Sequence, residues 1–137
     1  MIPQQAGDVR TVLVCDDQQH IRDAIKVVLS GAGRLMVVGE AVDGDTCVQQ
    51  VEKWRPDVLI LDYSMPGGGP QVARSAREMH PGIHIIVFTG RHDASVRDAM
   101  LDAGADQFVV KTGRLRPLMD ALDRVSRSSR EAIVDRA

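Results

Sequence analysis

The segment Thr11-Val-Leu-Val-Cys-Asp-Asp17 is a short apolar run that ends directly in two carboxylates. Three later segments repeat this arrangement, each with a polar side chain straight after an apolar run. They are Asp57-Val-Leu-Ile-Leu-Asp62, Ile83-His-Ile-Ile-Val-Phe-Thr89 and Gln107-Phe-Val-Val-Lys111. Continuous apolar runs of this length are typical of strands buried on both faces of a parallel sheet. Ligands bind outside the carboxyl ends of such strands, so the pattern predicts one site assembled from distant segments.

Segments with helical periodicity separate the runs. Apolar residues recur every three or four positions from Ile21 to Leu29, and Asp43 and Pro70 are start signals for the next two helices. The predicted strands are Thr11 to Cys15, Leu35 to Val42, Asp57 to Leu61, Ile83 to Phe88 and Gln107 to Val110. The residues expected to point inward from the second helix are Cys47, Val48, Val51 and Trp54. Five alternations of strand and helix predict an α/β fold with a doubly wound parallel sheet.

Length and composition fit one ordinary globular domain of 137 residues, with 44% hydrophobic and 26% charged residues. The net charge of −2 gives no sign of nucleic-acid binding or of an anionic membrane partner. No apolar stretch is long enough to span a membrane, and no signal peptide is recognisable, so a cytoplasmic location is expected. Cys15 and Cys47 are predicted to be small core residues, because they give no metal-ligand or disulfide spacing.

Three carboxylates, a hydroxyl and an ammonium group are expected at the predicted site. They belong to Asp16, Asp17, Asp62, Thr89 and Lys111. Oxygen ligands of this kind suit Mg²⁺, and the set as a whole suits a phosphoryl group. Each residue alone has a more ordinary interpretation, such as a helix N-cap for the acidic pair or a solvated lysine at a strand end. Their coincidence at one sheet edge favours the functional interpretation.

These residues resemble the receiver domain of two-component response regulators over approximately residues 10–126. The similarity rests on Asp16-Asp17, Asp62-Tyr-Ser-Met-Pro66, Thr89-Gly90 and Lys111. It implies a flavodoxin-like (βα)5 fold with strand order 2-1-3-4-5. It also implies that Asp62 accepts a phosphoryl group from a sensor histidine kinase, a phosphotransfer protein or a small phosphodonor. Residues 127–137 are then a polar tail, a helix extension or a linker.

The residue types fit separate roles in that chemistry. Asp62 is the candidate nucleophile, since a carboxylate needs no deprotonation at neutral pH. Asp17 and Asp62 are candidate ligands of Mg²⁺ or Mn²⁺, with Asp16 acting through a water. Lys111 compensates charge and Thr89 donates a hydrogen bond to the phosphoryl group. The resemblance adds the backbone carbonyl of Ser64 as a metal ligand, and the backbone amides of Ser64 and Gly90 lie near the phosphoryl group.

The resemblance further implies a conformational switch. Phe108, three residues before the lysine, matches the switch aromatic, and the surface of helix four, strand five and helix five would transmit the change. Lys111 is followed by Thr112 and Gly113 where most receivers have a proline, a departure shared with the subfamily that regulates transcription through a LuxR-type output domain. Gly90 stands where alanine is common, which is expected to affect the lifetime of the phosphorylated state.

Three other functions are compatible with parts of this pattern. A flavodoxin-like cofactor binder shares the fold, but Asp16 and Asp17 would repel a flavin phosphate. An aspartate-nucleophile phosphatase would need a general acid two residues after the nucleophile, where this chain has Ser64. A degenerate receiver would act only as a docking module. We expect a switch that catalyses only its own aspartyl phosphorylation and dephosphorylation, and is not a turnover enzyme.

The expected partners follow from the resemblance alone. They are the phosphodonor, a downstream protein target or an attached output domain, and a second copy of the chain in a homodimer. Direct binding to nucleic acid or to a membrane is not expected.

Overall fold

The computed structural model describes residues 9–125 and contains five parallel strands and five helices in strict alternation. The strands are β1 (Arg10–Cys15), β2 (Leu35–Ala41), β3 (Val58–Leu61), β4 (His84–Thr89) and β5 (Gln107–Val110). The helices are α1 (Gln19–Ser30), α2 (Gly44–Trp54), α3 (Pro70–Met79), α4 (Ala94–Asp102) and α5 (116–125). The expected tail at 127–137 lies outside the described residues.

The sheet has the strand order β2-β1-β3-β4-β5, which confirms the predicted topology. Helices cover both of its faces. Leu13 and Cys15 of β1 face a core shared with α2, α3 and α4, whereas Val12 and Val14 face the core beneath α1 and α5. Because successive side chains of a strand point to opposite faces, a continuous apolar run fills both cores.

Local signals explain where the helices begin and end. The carboxylate of Asp43 accepts the backbone N–H of Thr46 at 2.8 Å, which caps α2 as predicted. Pro70 opens α3, and Pro117 lies in the first turn of α5, where its missing N–H removes no helical hydrogen bond. Arg55 ends α2 in the left-handed region, just before Pro56.

Several predicted boundaries were wrong by one residue. Asp57 and Ile83 precede their strands, Val42 lies beyond β2, and Thr89 is the last residue of β4 and not the first residue after it. The inward position expected for Trp54 was also wrong, because its side chain is 44% exposed. The indole lies in the last turn of α2, where its N–H reaches Gln50. No helix in residues 9–125 is long and apolar enough to cross a membrane.

Candidate functional site

The carboxyl ends of the central strands bring the predicted acidic residues together. One carboxylate oxygen from each of Asp16, Asp17 and Asp62 lies within 4.8 Å of the other two. The sheet ladder produces this arrangement, because the N–H of Asp62 donates to the carbonyl of Cys15 at 3.0 Å and so continues the pairing of β1 with β3. The three acids therefore stand side by side at one edge.

Burial differs sharply among the three carboxylates. Asp16 and Asp62 are 2% and 3% exposed, whereas Asp17 is exposed. Asp16 accepts the N–H of Gln18 at 2.9 Å, and Asp62 accepts the N–H of Ser64 at the same distance. A buried carboxylate is costly unless it is paired and hydrogen-bonded. Two of the three acids are thus held in place by turns of their own chain, and the third opens towards solvent.

Lys111 bridges the two buried acids. Its ammonium nitrogen lies 2.7 Å from an oxygen of Asp16 and 3.3 Å from an oxygen of Asp62. The lysine reaches this position at the end of β5, where its N–H donates to the carbonyl of Thr89 at 2.8 Å. One ammonium group faces three carboxylates, so the cluster keeps an excess of negative charge. This excess favours a divalent cation, for which oxygen ligands are preferred.

Helix capping does not account for the acidic pair. Gln18 occupies the N-cap of α1, and no side chain donates or accepts a capping bond there. Asp16 bonds to that residue's N–H and not to the first turn of the helix. The ordinary interpretation of Asp16-Asp17 as an N-cap was therefore wrong, and the pair is free to serve the cluster.

Arg22 supports the cluster from α1, a contact that the sequence did not indicate. Its guanidinium donates to the main-chain carbonyl of Asp16 at 2.8 Å and to Glu40 of β2 at 2.8 Å. Lys26 holds the other oxygen of Glu40 at 2.7 Å, and this contact lowers the pKa of Glu40. The segment that carries Asp16 is thereby tied to β2. Only the three-dimensional arrangement brings the three segments into contact.

Two hydroxyl groups meet beside the acids. Thr89 is fully buried, and its hydroxyl oxygen lies 3.3 Å from that of Ser64. A methyl group added at Gly90 would meet nothing within 4 Å, so the backbone there borders open space. Phe108 is partly buried and packs against the core below α3 and α4. The Ser64 carbonyl as a metal ligand, and the switch role of Phe108, stay predictions.

The glycine-rich loop after Asp62 is closely packed. A side chain at Gly68 would come within 2.3 Å of the Asp62 carbonyl oxygen, and one at Gly44 would come within 2.2 Å of the Gly67 carbonyl oxygen. The N–H of Gly44 also donates to the carbonyl of Pro66 at 2.8 Å. The loop therefore rests on the N-terminus of α2. Glycines at 44 and 68 permit a backbone approach that larger residues would prevent.

Comparison with known proteins gives a consistent family. The family model described as the response regulator receiver domain matches residues 12–123 of this chain. The chain is 31% identical over 115 residues to the response regulator GacA of Pseudomonas aeruginosa, covering 83% of this chain and 54% of GacA. It is 33% identical over 118 residues to the nitrate/nitrite response regulator NarL of Escherichia coli K12, covering 85% and 54%. The chain thus spans about half the length of the curated relatives it matches.

Solved structures agree with this match. The signal receiver domain of the response regulator NarL from Mycobacterium tuberculosis superposes with a TM-score of 0.78 at 30% identity, covering 86% of this chain and 97% of that domain. The fold, the acidic cluster and the family match point in the same direction. The chain belongs to the response regulator receiver domain family of two-component signal transduction.

Proposed function

We propose that Asp62 accepts a phosphoryl group and that this modification switches the surface of α4, β5 and α5. The observation that carries the proposal is the buried, charge-unbalanced cluster in which Asp16 and Asp62 share Lys111. A structural ion pair needs only one acid and one base. Here two buried acids share a single lysine and an exposed third acid lies beside them, an arrangement suited to binding a cation and a phosphoryl group together.

The proposed reaction is a displacement at phosphorus. A carboxylate oxygen of Asp62 attacks, an acyl phosphate bond forms, and the bond from phosphorus to the donor's imidazole nitrogen or acetate oxygen breaks. Mg²⁺ or Mn²⁺, held by Asp16, Asp17, Asp62 and the Ser64 carbonyl, would supply positive charge to the phosphoryl oxygens. Lys111 leaves its contact with Asp62 to pair with a phosphoryl oxygen, so its charge compensates the added negative charge.

Transmission would begin at Thr89. Its hydroxyl oxygen lies 3.3 Å from that of Ser64, and this contact would rearrange when the Thr89 hydroxyl donates to the phosphoryl group. Backbone amides of Ser64 and Gly90 would complete the phosphoryl contacts. The movement leaves space behind Thr89 for Phe108, whose ring lacks a hydroxyl and gains no hydrogen bond when it turns outward. A two-state element of this kind changes partner affinity by favouring one conformation.

The relatives guide the proposal for partners. A histidine kinase or phosphotransfer protein would supply the phosphoryl group, and the recipient of the signal would be a protein target or an output domain, with a homodimer as one assembly. The relative DegU of Brevibacillus brevis is named as a transcriptional regulatory protein, so control of transcription is the favoured outcome for the full regulator. The chain itself would catalyse only its own phosphorylation and dephosphorylation, in the cytoplasm.

Intact mass spectrometry tests the central claim. Wild type incubated with acetyl phosphate and MgCl₂ should gain one phosphoryl mass, whereas Asp62→Asn should gain none, because an amide is a poor nucleophile. EDTA should prevent the gain on wild type. Asp106→Asn is the matched control, since Asp106 is also a strand-end acid but lies at the opposite edge of the sheet. No adduct on wild type, or an equal adduct on Asp62→Asn, would contradict the proposal.

A further inference from the structure

The two cysteines, distant in sequence, have their sulfur atoms in direct contact. Cys15 ends β1 and Cys47 lies on α2, yet their Sγ atoms are 2.9 Å apart, with the Cys15 thiol donating to the Cys47 sulfur. Both residues are buried and both are free thiols. A covalent disulfide has a sulfur separation of about 2.05 Å, so a movement of about 0.9 Å would join them.

This pair lies directly behind the acidic cluster. Cys15 precedes Asp16, and its carbonyl accepts the N–H of Asp62 at 3.0 Å. Cys47 belongs to the helix whose first residue, Gly44, donates to the carbonyl of Pro66 in the loop after Asp62. A covalent bond between the sulfurs would therefore link the strand that carries Asp16 to the helix that supports the Asp62 loop.

We propose that Cys15 and Cys47 are a redox modification site, closing to an intramolecular disulfide at the expense of a small disulfide such as oxidised glutathione. One protein thiolate attacks the glutathione disulfide and releases one reduced glutathione. The second protein thiolate then attacks the mixed disulfide, forms the bond between Cys15 and Cys47, and releases the second glutathione. Two protein thiols are oxidised, one glutathione disulfide is reduced, and the two protons lost by the protein thiols end on the two glutathione thiols.

Burial shapes how the exchange proceeds. Cys15 and Cys47 are both buried, so a disulfide in solution has little access to either sulfur. A neutral, enclosed thiol attacks slowly in the closed fold. Exchange therefore occurs while the chain is unfolded, and the native packing determines whether the dithiol or the disulfide predominates after folding. An equilibrium measurement made during refolding is the appropriate test.

The test compares the folded chain with the unfolded chain in the same glutathione buffers. Protein is refolded from guanidinium across a series of reduced to oxidised glutathione ratios, while a second set stays in guanidinium. Both sets are quenched with acid, unfolded and alkylated with maleimide, and their intact masses are measured by mass spectrometry. We expect the folded set to hold the disulfide with an equilibrium constant about tenfold or more higher, which is a shift of about 30 mV in reduction potential.

The variants Cys15→Ala and Cys47→Ala identify the bond, since neither can lose two hydrogen atoms without gaining glutathione. A folded set that is no more oxidised than the unfolded set would overturn the proposal. So would a folded protein that accumulates only glutathione adducts. None of these readouts uses phosphorylation, so they stand or fall separately from the function proposed for Asp62.

A second measurement tests the link to the acidic cluster. Oxidised and reduced wild type are compared for the rate of adduct formation with acetyl phosphate and MgCl₂. We expect slower phosphorylation of the oxidised protein, because the Cys15 carbonyl that aligns Asp62 moves with its side chain. Equal rates would overturn this coupling.

Discussion

Aspartates lie at both ends of the parallel strands, and their surroundings differ. At the amino ends, Asp57 accepts the N–H and the hydroxyl of Thr11 at 2.8 and 3.2 Å. Asp106 accepts the N–H of Ile85 at 2.8 Å and the guanidinium of Arg77 at 2.6 Å. Each acid there ties one strand to a neighbouring element. Donors and acceptors are matched, which is the arrangement expected of a structural carboxylate.

At the carboxyl ends the same side chain is used without such a match. Asp16, Asp17 and Asp62 face one another, and Lys111 is the cation that contacts two of them. The three carboxylates therefore repel one another, and a bound cation would reduce this repulsion. Exposure alone does not separate the two ends of the strands, since Asp17 and Asp106 are both exposed. The balance of charge around the acids does.

Among the residues that surround Asp62, removal of Lys111 should have the largest effect on the proposed reaction. In Lys111→Met, phosphorylation by acetyl phosphate should slow by about a hundredfold, because the charge on the transferred group loses its partner. Mg²⁺ binding should persist or strengthen, since the ammonium no longer competes for Asp16 and Asp62. Adduct formation by mass and Mg²⁺ binding by calorimetry measure the two effects. Lys53→Met, at an exposed lysine on α2, is the control and should change neither.

Asp106→Ala tests whether an acid at the amino ends of the strands serves stability alone. It removes the Asp106 carboxylate that accepts the N–H of Ile85, and one of the four acceptors of the Arg77 guanidinium, so we expect a loss of about 1–3 kcal/mol in the free energy of unfolding. Phosphorylation should stay at the wild-type rate. Denaturant titration followed by tryptophan fluorescence gives the first value, and adduct formation gives the second. A stable variant that fails to accept phosphate would break the distinction between the edges.

Asp17→Asn should separate metal binding from folding. Loss of one carboxylate should weaken Mg²⁺ binding by about tenfold or more, while the metal-free protein becomes slightly more stable because repulsion in the cluster falls. Calorimetry with MgCl₂ and thermal unfolding in EDTA measure these two effects. Asp98→Asn, at an exposed acid on α4, is the control. Reduced stability of Asp17→Asn without metal would show that the Asp17 carboxylate stabilises the fold and that repulsion within the cluster is not the dominant effect.

The smallest effect concerns pH and lies at the amino ends. Burial lowers the pKa of His84 below its ordinary 6.5, with Asp106 opposing and Arg77 adding to the shift. As the pH falls, His84 is therefore protonated in the unfolded chain before it is protonated in the folded chain. The contribution of His84 to stability is complete above 6.5 and is lost as the pH falls through the lower folded value.

Thermal unfolding in steps from about pH 8 to about pH 5 tests this sign. Wild type should lose stability on acidification more steeply than His84→Gln, which cannot be protonated in this range. Equal slopes for the two proteins would assign the acid sensitivity to other groups.

The sequence allowed the strand-end cluster to be predicted because each polar residue follows its own apolar run. Asp16, Asp62 and Lys111 meet as expected, since parallel strands end at one edge. The contact of Arg22 with the Asp16 carbonyl could not be predicted, because it depends on how α1 lies over β2. The contact between Cys15 and Cys47 was missed for a similar reason, since their spacing matches no known pattern.

Two further differences have local causes. The helical spacing that predicted an inward Trp54 holds for Cys47 and Val51, but the indole lies over Gly39 of β2, the edge strand of the sheet, and is 44% exposed. The close approach of Gly68 to the Asp62 carbonyl could not be predicted either, because glycine suits loose turns and tight packing alike. Periodicity describes the face of a helix. It does not show at which residue that face stops packing against the rest of the fold.

Trp54 also gives this chain a convenient optical property. It is the single tryptophan, and it lies ten residues along α2 from Gly44, at the end of the helix near the acidic edge, or about 15 Å at 1.5 Å per residue. Its emission should respond to unfolding of α2 and remain nearly constant when an ion enters the cluster. Stability can then be read by fluorescence in the presence of any phosphodonor, with mass spectrometry reporting the chemistry from the same tube.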